Sequence, residues 1–204
     1  ERYFNGWGAD SIFTSFSVAK AFVSTLVGIA IDRGLIHSLG DSITRYLPEL
    51  ARREPRFNRI TIRDLLRMAS GLRYVEDEPP YDDRWTYLPP DLRRSALERA
   101  TVVEEPGKRW LYNNYNPLLI GMILERVSGR TVTDLLQRWI WNPVGMERGG
   151  SWSIDSRVHG FEKMESGINA HPVDFAKLGA LYLHQGRRNG RQVVPAAWVH
   201  DATQ

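Results

Sequence analysis

The sequence predicts a mostly helical chain with a small amount of strand, which is a fold of the α+β class. Three observations support this prediction. Apolar residues recur three and four positions apart along several stretches, glycine or proline closes most of those stretches, and the segment GGSWSI from Gly149 has the composition of a strand. The 204 residues, 42% of them hydrophobic, are sufficient for a buried core.

The first predicted helix follows Ser17 and ends before Gly34, which supplies its stop. Its apolar residues lie on one face, and these are Ala19, Phe22, Val23, Leu26, Val27 and Ala30. A connector follows. Thr61 can then cap a short helix through IRDLLRMAS that ends at Gly71.

Residues 74–90 are predicted to form a long irregular loop. They carry Pro79, Pro80, Pro89 and Pro90 among acidic and aromatic residues, a composition that argues against regular structure. Loops of this length are uncommon unless they serve a function.

The second half of the chain is also predicted to form mainly helices. Pro117 marks the start of one helix and Gly129 its end, with apolar residues at Leu118, Met122, Leu124 and Val127. The segment TVTDLLQRWIW predicts the next helix, which ends at Pro143. After the strand GGSWSI, residues 172–185 and 195–202 are predicted to be helical.

The composition excludes several classes of function. The 27 basic and 24 acidic residues are mixed along the chain, so no nucleic-acid-binding face is expected. The absence of cysteine excludes disulfides and thiolate chemistry. No HxxxH pair and no glycine-rich phosphate loop occurs, so neither a metal nor another cofactor is predicted. The longest apolar stretch, residues 21–31, is too short for a membrane span.

Ser17 and Lys20 form an SxxK motif at the head of the most apolar predicted helix. Residues three apart lie on the same helical face, so the hydroxyl and the amine can come within hydrogen-bonding reach. The chain has four lysines against twenty-three arginines. A lysine can act as a base, whereas an arginine cannot. The alternative is that Ser17 only caps the helix and Lys20 reaches solvent, since an isolated SxxK also occurs by chance.

The surrounding segments resemble a known superfamily. They are SFSVAKAFVSTLVGIAIDRGLI, ITIRDLLRMASGL, PGKRWLYNNYNPLLIGMILERVSG and NPVGM. In this order they resemble the serine hydrolases of the beta-lactamase and penicillin-binding-protein superfamily. The nearest resemblance is to the branch that holds class C beta-lactamases, carboxylesterases of that fold and 6-aminohexanoate-dimer (nylon oligomer) hydrolases.

The resemblance implies a beta-lactamase/transpeptidase-like fold, in which a helical domain meets an antiparallel sheet flanked by helices. Residues 1–204 would form one such module, with residues 46–160 as the helical subdomain and residues 1–45 and 161–204 in the α/β subdomain. The third motif of the superfamily, KTG or an equivalent, does not occur. We therefore expect the module to be incomplete at both ends, with the C-terminal strands missing, little sheet, and apolar surface uncovered on the first helix.

The resemblance also implies roles for individual residues. Ser17 would be the nucleophile, and Lys20 would take its proton directly or together with Tyr112. The YxN motif of this branch is matched by Tyr112 and the two asparagines after it, and Asn114 would bind substrate. The alternative is that Tyr112 and Asn114 form an ordinary turn before the next helix. Tyr74 and Trp85 could line a substrate pocket, or equally pack their loop onto the body.

The expected function is cleavage of an ester or amide bond in a small molecule through an acyl-enzyme, without a cofactor. An exported beta-lactamase or D-alanyl-D-alanine peptidase is an alternative within the same chemistry. A catalytically inactive binding module on the same fold is an alternative of another class. The protein is expected to be of bacterial type, with the cytoplasm favoured over the periplasm, and its oligomeric state stays open.

Overall fold

The computed structural model describes residues 2–76, 78–79 and 81–204. Within these residues the chain forms ten α-helices and five strands of two or three residues. The helices are α1 (Ala19–Asp32), α2 (Pro48–Arg53), α3 (Ile62–Leu66), α4 (Asp83–Tyr87), α5 (Leu92–Arg99), α6 (Tyr115–Ser128), α7 (Val132–Leu136), α8 (Asn142–Val144), α9 (Pro172–Leu183) and α10 (Ala196–Ala202). The strands are β1 (Phe13–Thr14), β2 (Ser151–Trp152), β3 (Ile168–Ala170), β4 (Arg187–Arg188) and β5 (Arg191–Gln192). Across this described part of the chain, no helix has the length and apolarity to cross a membrane.

Helices α1 and α6 form the centre of the fold, and each is 14 residues long. They pack against each other and bury apolar side chains at helical spacings, such as Phe22 and Leu26 of α1 and Leu119 and Ile123 of α6. Burying a side chain of this size contributes about 1.5–3 kcal/mol. The pair therefore provides a rigid base for the segments that precede each helix.

Both central helices end where glycine was predicted to stop them. Gly34 follows α1 with a φ of 70°, and Gly129 follows α6 with a φ of 66°. Glycine adopts this left-handed conformation without the steric cost that a Cβ would add. Pro117 lies in the first turn of α6, as expected for a residue that lacks a backbone N–H.

The expectation that apolar surface on α1 stays uncovered is wrong. Phe22 makes an edge-to-face contact with Phe175 of α9, with ring centroids 6.1 Å apart. The Trp198 indole of α10 lies so close to Gly28 that a Cβ there would come within 2.4 Å of the ring. The C-terminal helices thus cover the face of α1 that α6 leaves free.

Helix α3 has the predicted cap but is shorter than predicted. Thr61 Oγ1 accepts a hydrogen bond from Asp64 N at 3.2 Å, and the Asp64 carboxylate accepts one from Thr61 N at 2.8 Å. The helix ends at Leu66 because Met68 takes a left-handed φ of 54°. Gly71 is not the stop. It allows close approach of two backbone segments, since a Cβ there would lie 2.3 Å from the carbonyl oxygen of Glu104.

The predicted irregular loop of residues 74–90 contains a helix, α4. The Asp82 carboxylate, directly before α4, accepts hydrogen bonds from Val75 N at 2.8 Å and from the Arg73 guanidinium at 2.9 Å. These bonds fold the segment back on itself and allow a short helix to form. The prediction is therefore wrong for α4, and Pro80 lies outside the described residues.

The helix predicted from TVTDLLQRWIW consists of α7, a π-helical turn at Gln137–Trp141, and α8. It continues one residue beyond Pro143, and Gly145 with a φ of 73° ends it. The helices predicted at residues 172–185 and 195–202 correspond to α9 and α10.

The strands form two small antiparallel sheets, so the expectation of little sheet is confirmed. The larger sheet has the order β1-β3-β2, and the smaller pairs β4 with β5. Phe13 pairs with Ala170, and Trp152, in the predicted strand GGSWSI, pairs with Ile168. The larger sheet thereby joins the segment before α1 to the segment that ends in β3, and this junction positions the candidate site.

Candidate active site

Ser17 lies in a 3₁₀ turn, Phe16–Val18, between β1 and α1. Ser15 anchors this turn to β3: its backbone N–H donates to Ile168 O at 2.7 Å, and its hydroxyl donates to Ser166 O at 3.0 Å. Phe16 has a φ of 45°, a conformation that costs a bulky residue about 1–3 kcal/mol. The anchored Ser15 on one side and α1 on the other hold this strained residue, and Ser17 is exposed next to it.

Ser17 Oγ accepts hydrogen bonds from two side chains, each of which can exchange a proton with the serine hydroxyl. The Tyr112 hydroxyl donates at 2.6 Å, and Lys20 Nζ donates at 3.3 Å. Lys20 Nζ also donates to the backbone carbonyl of Glu165 at 2.8 Å and lies 4.7 Å from the centroid of the Tyr112 ring. The three side chains therefore form one compact group, in which the Tyr112 contact lies within the range of about 2.6–3.2 Å for proton transfer and the Lys20 contact lies just beyond it.

Two buried asparagines follow Tyr112. Asn113 Nδ2 donates to Leu72 O at 3.1 Å, and its Oδ1 accepts from Tyr115 N at 2.9 Å, which holds the segment at the start of α6. Asn114 is buried, and its Oδ1 has no hydrogen-bond partner among the described residues. A buried acceptor without a partner is costly, so Asn114 Oδ1 is a polar atom available to another group.

Hydrogen bonds to Tyr74 and Tyr87 hold the amide nitrogen of Asn114. The Asn114 Nδ2 donates to the Tyr74 hydroxyl at 2.9 Å and to the Tyr87 hydroxyl at 3.1 Å. The Tyr74 hydroxyl donates to the Asp83 carboxylate and lies 3.0 Å from Thr86 Oγ1. Burial, and then the contact with Asp83, raises the pKa of Tyr74 above its ordinary value. Tyr74 therefore stays protonated, and at 5% exposure it supports Asn114 from inside the fold.

Trp85 is a residue of α4 that makes a different set of contacts from Tyr87. Its ring is flanked by the guanidinium groups of Arg84, at 4.8 Å, and of Arg99, at 3.3 Å from the ring centroid. With Pro90 and His159 it lines a groove beside α5. The structure thus brings Ser17, Lys20 and Tyr112 together, connects Asn114 to Tyr74 by a hydrogen bond, and places the Trp85 ring among arginines.

Glu165 is a residue of this region that the sequence reasoning missed. Its side chain is fully buried, and burial raises its pKa to about 7 although the charges of Lys20 and Lys163 oppose the rise. The sequence carries no signal for this, and only the structure shows that the segment enters the core, where Phe161 and Met164 are buried as well. Among the described residues, no cluster of three or more acidic or histidine side chains could hold a metal ion.

A serine whose hydroxyl is bonded to a lysine three residues later and to a tyrosine from another segment is the arrangement of the SxxK serine hydrolases. Residues 1–200 match the model of the Beta-lactamase family, and the chain belongs to this family. The predicted resemblance is therefore confirmed. The family and the homologues of this chain are serine hydrolases.

Individual relatives show the same relationship. The chain is 27% identical to the 6-aminohexanoate-dimer hydrolase of Paenarthrobacter ureafaciens over 98% of this chain and 52% of that protein. It is 29% identical to the D-aminopeptidase of Brucella anthropi over 65% of this chain and 25% of that protein. A solved structure of a Bacillus anthracis protein proposed to be a 6-aminohexanoate-dimer hydrolase aligns with a TM-score of 0.85 and 25% identity, over 98% of this chain and 55% of that one. The chain spans at most about half the length of these relatives.

Proposed function

We propose that this chain carries the active site of a serine hydrolase that cleaves an ester or amide bond of a small substrate through an acyl-enzyme on Ser17. The observation that carries the proposal is the pair of hydrogen bonds to Ser17 Oγ, from Tyr112 at 2.6 Å and from Lys20 at 3.3 Å. A serine hydroxyl is a weak nucleophile until a neighbouring base removes its proton.

In the acylation step, Ser17 Oγ forms a bond to the substrate's carbonyl carbon. Its proton passes to Lys20, directly or by way of the Tyr112 phenol. The tetrahedral adduct then collapses, the C–O or C–N bond breaks, and the proton is returned to the departing alcohol or amine. Water next attacks the acyl group and gives its proton to the same base, which releases the acid and restores Ser17.

The surrounding residues keep the reacting groups in place. The backbone carbonyl of Glu165 holds Lys20, and the backbone N–H of Ser17 is the oxyanion donor we assign. Asn114 would contribute its free Oδ1 to Lys20 or to the substrate's amide, with Tyr74 and Tyr87 fixing its orientation. Trp85 would contribute through the groove beside α5, which it lines.

The relatives support amide or ester cleavage as the class of reaction, since they are named as a 6-aminohexanoate-dimer hydrolase and a D-aminopeptidase. A beta-lactamase or a D-alanyl-D-alanine peptidase would use the same residues in the same steps. A catalytically inactive binding module has no need for Ser17, Lys20 and Tyr112 to meet, and their contacts therefore favour the enzyme.

Labelling with a fluorophosphonate reporter, followed by mapping of the modified peptide, tests the proposal. The label should lie on Ser17, and Ser17→Ala should abolish it while the fold persists, because Ser17 is exposed and its hydroxyl caps neither the 3₁₀ turn nor α1. Ser24→Ala, on the adjoining helix α1, is the matched control and should label normally. A label that persists in Ser17→Ala would refute the assignment of the nucleophile.

A further inference from the structure

Glu165 is a buried acid next to the candidate active site that the proposed acylation chemistry does not use. Its side chain is 0% exposed, and its Oε2 has no hydrogen-bond partner among the described residues. Its Oε1 accepts a long hydrogen bond, 3.4 Å, from the Ser166 hydroxyl, and the backbone N–H of Glu165 itself also favours the ionised carboxyl. An ionised carboxylate in such surroundings is costly, so a purely structural role would be served better by a neutral side chain.

The segment of Glu165 is directly connected to Lys20. Lys20 Nζ donates its 2.8 Å hydrogen bond to the backbone carbonyl of Glu165, and the charge of Lys20 acts on the Glu165 carboxyl. The amine that contacts Ser17 Oγ is thus held by the same residue whose carboxyl lies within its electrostatic field.

Other groups face this carboxyl from the elements packed around it. Lys163, on the same segment, adds a second positive charge, and its Nζ donates to Tyr87 O at 3.0 Å. Tyr87, at the end of α4, lies within the field of Glu165, of Asp83 and of Tyr112. The backbone N–H of Glu165, and then the two lysines, favour the ionised carboxyl, whereas burial favours the neutral one. Burial outweighs them, and the pKa of Glu165 rises to about 7.

We propose that Glu165 is a positioning residue for Lys20: its backbone carbonyl holds the amine, and its buried carboxyl, when ionised, draws the amine toward Glu165 and away from Ser17 Oγ. The inference rests on the proposed role of Lys20 as the base. Coupling between two charges is reciprocal. An ionised Glu165 attracts the Lys20 amine, while a neutral Glu165 leaves the amine freer to contact Ser17 Oγ.

Carbon-13 NMR of the glutamate carboxyl groups measures this coupling without any need for turnover. Glu165→Gln identifies the resonance. Removing the charge of Lys20 with Lys20→Met should raise the pH at which Glu165 titrates by about one unit, because an opposite charge nearby favours the ionised form. Lys108→Met, on the exposed surface, is the control and should leave the titration unchanged. The same midpoint for Glu165 in Lys20→Met and in the wild type would overturn the proposal.

The pH dependence of fluorophosphonate labelling measures the effect on Ser17. The wild-type rate should change across an ionisation near neutrality, and this ionisation should be lost in Glu165→Gln. Glu162→Gln is the matched control: Glu162 is also buried and has an unpartnered Oε2, but its Oε1 accepts a hydrogen bond from Thr133 N at 2.7 Å. That variant should keep the wild-type profile.

The two outcomes separate this inference from the proposed function. A wild-type protein that labels at Ser17 but shows the same pH profile in Glu165→Gln would overturn the role of Glu165 alone. A wild-type protein that does not label at Ser17 would overturn the proposed hydrolase, and the NMR titration would then decide by itself whether Glu165 and Lys20 are coupled.

Discussion

Replacing Glu165 by glutamine should change how the stability of the fold depends on pH. Burial raises the pKa of this carboxyl from 4.5 to about 7. The folded state therefore binds more protons than the unfolded state between these values, and the free energy of unfolding falls as pH rises through this window. Each pKa unit corresponds to about 1.4 kcal/mol, so the carboxyl makes the fold about 3 kcal/mol less stable above pH 7 than below pH 4.5.

Urea denaturation of the wild type and of Glu165→Gln at several pH values across this window measures the effect. Other titrating groups cancel in the difference between the two proteins. We expect the wild type to lose stability relative to the variant by about 3 kcal/mol as pH rises from about 4.5 to above 7. A difference between wild type and Glu165→Gln that stays constant with pH would refute the reasoning, since the carboxyl would then titrate alike in both states.

Two further predictions follow from the site and the core. Lys20→Arg should lower the rate of Ser17 labelling by about 10²–10⁴-fold, because an arginine keeps the positive charge but cannot take up a proton; a variant that keeps a tenth of the rate would show that Lys20 supplies only its charge. Gly28→Ala should destabilise the fold by about 1–3 kcal/mol in urea denaturation, because the added Cβ would lie 2.4 Å from the Trp198 ring. Gly179→Ala is its control, since a Cβ at that helical position meets nothing within 4 Å and should be neutral or stabilising; equal effects of the two substitutions would contradict the packing described for α1.

The sequence predicts best those features that depend on near neighbours. Thr61 and Asp64 form the predicted cap because both partners lie within one helical turn. Gly129 ends α6 because its own backbone adopts a left-handed φ, which is likewise a local property. The SxxK spacing similarly places Ser17 and Lys20 side by side without any information about the rest of the chain.

The features that sequence reasoning missed depend on distant contacts. Helix α4 forms within a proline-rich segment because Asp82, directly before the helix, accepts hydrogen bonds from Val75 and Arg73. The cover of α1 requires Trp198, which lies far along the chain from Gly28. Glu165 looks like an ordinary surface acid in the sequence, and only the packing around its segment makes it a buried one.

The hydrogen bonds that assemble the site join residues far apart in the sequence. Tyr112 and Ser17 are separated by 95 positions, Lys20 and Glu165 by 145, and Ser15 and Ser166 by 151. Helices form on a microsecond timescale from contacts between near neighbours, whereas such long-range contacts must first offset the entropy of closing a long loop. Ser17 therefore has Lys20 beside it from local structure, but it gains Tyr112, and Lys20 gains Glu165, only when distant segments of the chain dock. During refolding, helical circular dichroism and the reactivity of Ser17 thus report different events, the first local and early, the second global and late.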